Sequence, residues 1–374
     1  MQKSEIIGQF HDAVNNRYET IERNKGDKKV IGWMCSYLPE EIIHAAGMYP
    51  VRVVGGEASP SHADAYLHIN MCSLVRSTLE EAFLGNYKFL DGFVTLNTCD
   101  NIRRLYDVWA EYIKPPFTHI LSLPHKITEH SIDYFTTEVE RFQEHLEQHF
   151  GVDISQDALR ESIRIYNRTR HLLQDLDDKR RASSPAISGT DFMAAVLAAT
   201  ILPKEKYNTM LQQLLTELDS QPKSSLDSKP RLMVVGSELD DTKFIELVEA
   251  SGAVVVADEI CTASKYYWNL VDTTGNPLQA LAERYLTRPP CPRMRPSDKR
   301  LEYLKEMVEN RQVDGVILEL MKFCKLHDEG ALIVREALNK WGIPHLTLSR
   351  EYTLTGAGAT STRVQAFLEQ LEGI

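Results

Sequence analysis

Six cysteines, Cys35, Cys72, Cys99, Cys261, Cys291 and Cys324, are the residues of this 374-residue chain best suited to chemistry. Thiolates bind soft metals and hold clusters that carry electrons. None of the six forms a CxxC pair, so spacing alone is a poor metal signal. Their placement against the strand pattern says more. Cys35 closes VIGWMC, Cys99 closes FVTLNTC, Cys261 follows AVVVADEI and Cys324 follows VILELMKF, which puts four of the six at the carboxyl ends of expected strands. In open parallel sheets that edge is where ligands bind. Cys72 enters from the turn before a helix in INMCSLVRSTLEEAF, and Cys291 lies in RPPCPRMRP, where prolines hold an extended loop. A free cysteine is also a small apolar filler, a reading that serves for any single one. It fits four strand-end thiols in two regions less well. Structural zinc usually brings a tight ligand pair, whereas iron–sulfur clusters accept dispersed thiolates.

The elements that must position these thiols form two strand–helix series. In the first third, short β-rich runs at 29–34, 51–54, 92–96 and 118–123 read as strands. Between the first two, LPEEIIHAAGMYP reads as a short helix, with Pro39 at its start, Glu40 and Glu41 favourable to its dipole, and Gly47 as its stop. Long helical patterns such as EVERFQEHLEQHF and DALRESIRIYNRTRHLLQDL follow with no strong strand candidate. The polar Ser- and Pro-containing stretch 219–230 then marks a boundary. A second series comprises RLMVVGS, AVVVADE, DGVILEL and HLTLSRE, with helices expected near 241–250, 299–311 and 329–341. The expectation is an α/β protein of two Rossmann-like or flavodoxin-like parallel-sheet domains facing each other, with a helical insert. The expected divisions are an N-terminal α/β domain at 1–125, a helical segment and linker at 126–228, and a C-terminal α/β domain at 229–374.

Composition narrows the function. Charged residues are 25% and hydrophobic residues 43%, the balance of a globular chain. A formal charge of −11 argues against nucleic acid as a partner. No apolar run approaches the ~20 residues that span a bilayer, so no membrane role is expected. The opening residues show no secretory signal, which leads to the expectation of a cytoplasmic protein without disulfides.

The motifs GWMCSYLPEEIIHAAGMYPVRV, NMCSLVRSTLE, YKFLDGFVTLNTCDNIRRLYD, DEICTASKYY, PPCP, DGVILELMKFC and TRVQAFLEQL run in order through nearly the whole chain. This set resembles the benzoyl-coenzyme A reductase and 2-hydroxyacyl-coenzyme A dehydratase family, and the first third most resembles the smaller catalytic subunits of ATP-dependent benzoyl-coenzyme A reductases. The resemblance implies a 4Fe-4S cluster held by three cysteines, which by motif are Cys72, Cys99 and Cys324, with one iron open to substrate. It implies an oxidoreductase or lyase acting on an acyl-coenzyme A or other small molecule, paired with a homologous subunit or with itself. It also implies an ATP-hydrolysing iron–sulfur activator as electron donor. No GxxxxGK[ST] phosphate loop occurs in this chain, which agrees with ATP being handled elsewhere. In the family's double-cubane branch six thiolates hold an 8Fe-9S cluster, and Cys35, Cys261 and Cys291 would complete that set here. Where many relatives show a glycine and an arginine, this chain has CTASK. The leading expectation is an aryl-coenzyme A reductase subunit; a dehydratase subunit, a double-cubane reductase and a non-catalytic electron-transfer subunit are the alternatives.

Near the cysteine loops, Glu40, Glu41, His44, Asp100 and His327 are candidates for moving protons, each with a structural alternative as cap or dipole partner. Arg76, Arg103 and Arg104 suit phosphate, or an exposed helix face. Tyr37, Trp33, Tyr106 and Trp109 suit an aryl pocket or a core, with core favoured for Trp109.

Overall fold

A computed structural model of the chain describes residues 4–220 and 229–373. Of the expected boundary stretch 219–230, residues 221–228 lie outside that description.

Two four-stranded sheets organise the molecule. The first contains β1 (Val30–Trp33), β2 (Tyr49–Arg52), β3 (Gly92–Leu96) and β4 (Phe117–Leu121); the second contains β5 (Arg231–Gly236), β6 (Val254–Glu259), β7 (Gly315–Met321) and β8 (His345–Arg350). Every pairing is parallel, and the spatial orders β2-β1-β3-β4 and β6-β5-β7-β8 are the same topology used twice. Six of the eight strands, β4 and β8 excepted, are almost wholly buried, as expected of runs covered on both faces by helices. In each sheet the chain reverses its direction of travel between the first and third strands, which opens a crevice at their carboxyl ends.

The long helices of the middle third begin where the sequence supplies caps. Thr128 starts Glu129–Phe150, Ser155 starts Gln156–Arg181 and Ser188 starts Gly189–Ala198, each hydroxyl accepting a backbone N–H of the first turn. Glu129–Phe150 buries Phe135, Val139, Phe142 and Leu146, a stripe at helical spacing that packs on β4. Gln156–Arg181 bridges the sheets, touching the short helix Glu40–Ala45 on one side and β6 on the other. Its far end carries Asp177, which pairs with Arg311 and Arg180, while Arg180 also reaches Asp258 at 2.9 Å. All four are buried. The carboxyl edges are joined directly as well: Arg52 at the end of β2 pairs with Glu238 at 2.7 Å and Asp240 at 3.4 Å, both just past β5. Among the described residues no helix is long and apolar enough to cross a membrane.

Candidate iron–sulfur site

Facing carboxyl edges leave a cavity of about 350 Å3, and all six cysteines line it. Cys35 comes from the turn after β1, Cys99 from the turn after β3, Cys261 from the turn after β6 and Cys324 from the turn after β7, so two sheets contribute two strand-end thiols each. Cys291 arrives from the proline-flanked loop, where its backbone N–H donates to the Tyr37 hydroxyl at 3.1 Å. Cys72 reaches across the sheets to Met321, its Sγ 3.6 Å from the Met321 Sδ.

Local structure divides the six into two sets. Cys72, Cys99 and Cys324 are the N-cap residues of the helices Ser73–Phe83, Asp100–Val108 and Lys325–Trp341. Each of these cysteines thus sits at the positive end of a helix dipole, although only the Cys99 sulfur takes a cap hydrogen bond. The Ile102 N–H already donates to Cys99 Sγ at 3.4 Å. Cys35, Cys261 and Cys291 lie in loops without that support. Cys35 holds a left-handed φ of 74°, and Phe323, next to Cys324, holds 65°. Such conformations cost side-chain-bearing residues about 1–3 kcal/mol each and collect at functional sites.

Burial contributes to a raised pKa at four of the thiols. It pushes Cys99 and Cys261 up to about 12, against the opposing pull of the Ile102 N–H and of Lys265 respectively. Burial also raises Cys35, and Cys324 is raised first by its hydrogen bond with Cys72 and then by burial. Thiols of this kind give up their protons to a metal rather than to water.

The surrounding polar groups complete the picture. Two residues before Cys261, Glu259 is fully buried between Lys265 and Arg300, accepting from Arg300 Nε at 3.1 Å and Nη2 at 2.8 Å. His327, on the cavity wall, is held down to about 3 by burial and by the nearby Arg300 and Lys265, so its imidazole is neutral at physiological pH. Arg288 is fully buried with its Nε and Nη2 unpartnered; Arg293, also buried, pairs with His125 through one nitrogen and leaves Nε and Nη1 unpartnered. Both guanidinium groups line the cavity. Among the described residues no three His, Cys, Asp or Glu side chains converge as a single metal ion would require. Six soft sulfur donors spread around one space, together with buried cations lacking acceptors, fit a larger anionic group that brings its own sulfide.

The other sequence candidates scatter. Glu41 is buried against Arg170 and Tyr285, and Glu40 against Lys204 at 3.4 Å and Tyr166 at 3.3 Å, both away from the cavity. His44 bonds Ser162 and Glu205. Asp100, expected as the helix cap, is the first helical residue and mostly exposed, because Cys99 itself takes the cap. It stays at the cavity rim with Arg103. Arg76 is engaged by Asp64 at 2.7 Å and Arg104 by Asp107 at 2.9 Å. Tyr37 lines the cavity, Trp33 and Trp109 are core, and Tyr106 lies outside it. Sequence reasoning passed over Arg288, Arg293 and His125. A signal existed, since Arg288 and Arg293 bracket the Pro-Pro-Cys-Pro run.

Residues 35–371 match the family model described as 2-hydroxyglutaryl-CoA dehydratase, D-component. The chain is 31% identical to the putative dehydratase subunit YjiM of Escherichia coli over 98% of both chains, and 31% identical to a benzoyl-CoA reductase subunit of Thauera aromatica over 79% of each. It is 26% identical to the (R)-phenyllactyl-CoA dehydratase beta subunit of Clostridium sporogenes, again over 98% of both. With a family match that takes in every one of the six cysteines, the chain belongs to the benzoyl-CoA reductase and 2-hydroxyacyl-CoA dehydratase family.

Proposed function

We propose that this chain is an iron–sulfur enzyme whose six cysteines together hold a double-cubane cluster, and that it reduces a small molecule in the cavity between the sheets. The observation that carries this reading is that Cys35, Cys261 and Cys291 open onto the same cavity as Cys72, Cys99 and Cys324. Six thiolates facing one space suit two joined cubanes better than one cubane held by three, with three thiols idle. Bound there, the cluster would supply single electrons at low potential. The electrons come, on this reading, from an ATP-hydrolysing iron–sulfur donor on another chain, and the cytoplasm is where such a protein works.

The chain's own residues shape what reaches that space. Leu74, Val75, Ile102 and Leu326 form apolar wall and exclude water. Neutral His327 offers a ring nitrogen at the wall for hydrogen bonding to a bound molecule. Asp100 and Arg103 stand at the rim, where a charged substrate first meets the site.

A second reading keeps one 4Fe-4S cluster on Cys72, Cys99 and Cys324, with an acyl-coenzyme A substrate that is either dearomatised or dehydrated in company with a homologous subunit. The helix N-caps that single out this trio favour it, as do relatives named as benzoyl-CoA reductase and 2-hydroxyacyl-CoA dehydratase subunits. Iron and sulfide content of anaerobically purified protein separates the two. About eight irons per chain, falling in Cys261→Ala, supports the double cubane, and about four, unaffected by Cys261→Ala, supports the single cluster.

A further inference from the structure

The two cysteine sets are supported by different electrostatics, and of the two buried arginines with unpaired nitrogens on the cavity wall, Arg288 is the one stacked on Tyr37 beside the second set. Cys72, Cys99 and Cys324 each have a helix N-terminus of nine residues or more behind them. Cys35 and Cys291 start no helix, and the helix that follows Cys261 has only four residues, Ser264–Tyr267. What stands beside these three is Arg288. Its guanidinium lies 3.9 Å over the Tyr37 ring, and its Nη1 donates to the Lys265 carbonyl at 2.9 Å. Those two contacts fix the plane of the fork. The remaining nitrogens, Nε and Nη2, have no acceptor although the side chain is fully buried. An orphaned buried guanidinium is costly, so its unpaired N–H groups must meet an acceptor when the site is complete. The side chain lines the same cavity as Cys35, Cys261 and Cys291, and the Tyr37 ring beneath it carries the hydroxyl that receives the Cys291 N–H.

We propose that Arg288 is a positioning residue that donates hydrogen bonds into the Cys35–Cys261–Cys291 half of the cluster and holds that half at a higher reduction potential than it would otherwise have. This rests on the six-thiolate reading above. Adding an electron makes the cluster more negative, and a positive charge with N–H groups aimed at its sulfurs stabilises the reduced form more than the oxidised one. Helix N-termini do this for the first trio; Arg288 does it for the second. Lysine at 288 would keep a charge but lose the planar fork that stacks on Tyr37 and presents two N–H groups at a fixed angle.

The test uses the full chain, purified and reconstituted anaerobically, as wild type, Arg288→Lys and Arg288→Met. Iron and sulfide are counted first, and the paramagnetic signals are then followed through a reductive titration. Wild type carrying about eight irons, with one reduction midpoint shifted downward in Arg288→Lys and further in Arg288→Met while the other stays, is the expected result. Thermal melting of the iron-free variants reports any loss of packing, which would move the melting point without moving a midpoint. Both midpoints unchanged in Arg288→Lys overturns the proposal, and that variant decides wherever Arg288→Met loads poorly. A wild type with about four irons overturns the six-thiolate reading instead, before any arginine variant is compared.

Discussion

Removing the Glu259 carboxylate should cost this protein heavily, because it is the counter-charge for two buried cations two residues from Cys261. Its side chain is fully buried, Lys265 is fully buried beside it, and Arg300 delivers a two-nitrogen fork at 3.1 and 2.8 Å. Burial alone would raise the carboxyl, yet Arg300 and Lys265 overcome it and hold Glu259 down at about 2. A carboxyl held at about 2 rather than the ordinary ~4.3 corresponds to about 3 kcal/mol of stability. The sign follows from the depressed value: this stability is present above about pH 4.3 and lost as pH falls through about 2. Breaking a buried pair by removing one partner costs a similar ~3–5 kcal/mol, since the remaining charges stay buried. Glu259→Gln in iron-free protein should therefore lower stability by that amount in urea unfolding followed by far-ultraviolet circular dichroism. With about 2.1 cal/mol/K of unfolding entropy per residue, the melting point falls by about 4–6 °C if the chain unfolds as one unit. Adding Lys265→Met removes one stranded cation, so the double variant should be more stable than Glu259→Gln by more than about 1 kcal/mol. A Glu259→Gln loss below about 1 kcal/mol, or strictly additive single effects, would refute the reasoning.

Acid should loosen the packing of Glu129–Phe150 on β4. His119 on β4 contacts His145 at 2.9 Å, and burial followed by His145 holds it down to about 4. The unfolded chain takes up that proton near 6.5, so up to about 3 kcal/mol present above pH 6.5 is lost on the way to pH 4, and His119→Gln should flatten the slope of unfolding free energy over that interval. Gly236→Ala should destabilise by about 1–3 kcal/mol or more, because a Cβ there would sit 2.5 Å from the Glu319 carbonyl oxygen; anaerobic iron retention should fall with it, as Ser237 and Glu238 on the cavity wall are pushed aside. By contrast Gly8→Ala, where a Cβ meets nothing within 4 Å in the helix Glu5–Asn15, should raise the melting point and leave iron content alone, with a gain of up to about 1 kcal/mol.

Strands were legible because buried parallel strands leave a plain trace. RLMVVG, VVVADE and GVILELM are β-branched or aliphatic runs bounded by turn residues, and each forms a strand within a residue or two of its expected limits. The edges were less sharp: β2 begins at Tyr49, before the expected 51, because its pairing with β1 extends through Tyr49 and Pro50. The role of the middle helices was not legible. Periodicity gives a helix's apolar face and nothing about which neighbour covers it, so the bridging of both sheets by Gln156–Arg181, through Asp177 and Arg311, could not be read from either segment. Asp100 was misread for a related reason. An aspartate before a helical pattern is the ordinary cap, but the backbone turns one residue earlier and a thiol takes its place.

The missing CxxC pair has a physical explanation in the duplicated topology. A compact single-ion site draws its ligands from one or two adjacent turns, which forces short spacings. Here the same strand order occurs twice and the two carboxyl edges face each other, so the site takes thiols from β1 and β3 of one sheet and from β6 and β7 of the other. Ligand spacing then equals the length of whole strand–helix units, and no short motif survives. The same arrangement ties the site to the junction between the sheets. Arg52 reaches across it to Glu238 on the cavity wall, and Cys72 meets Met321 there. Movement of one sheet against the other would separate Cys35, Cys72 and Cys99 from Cys261, Cys291 and Cys324, and so would split both sets. On the proposed reading, a cluster bound across that junction would add a cross-link between the two halves, and its assembly would depend on both having folded.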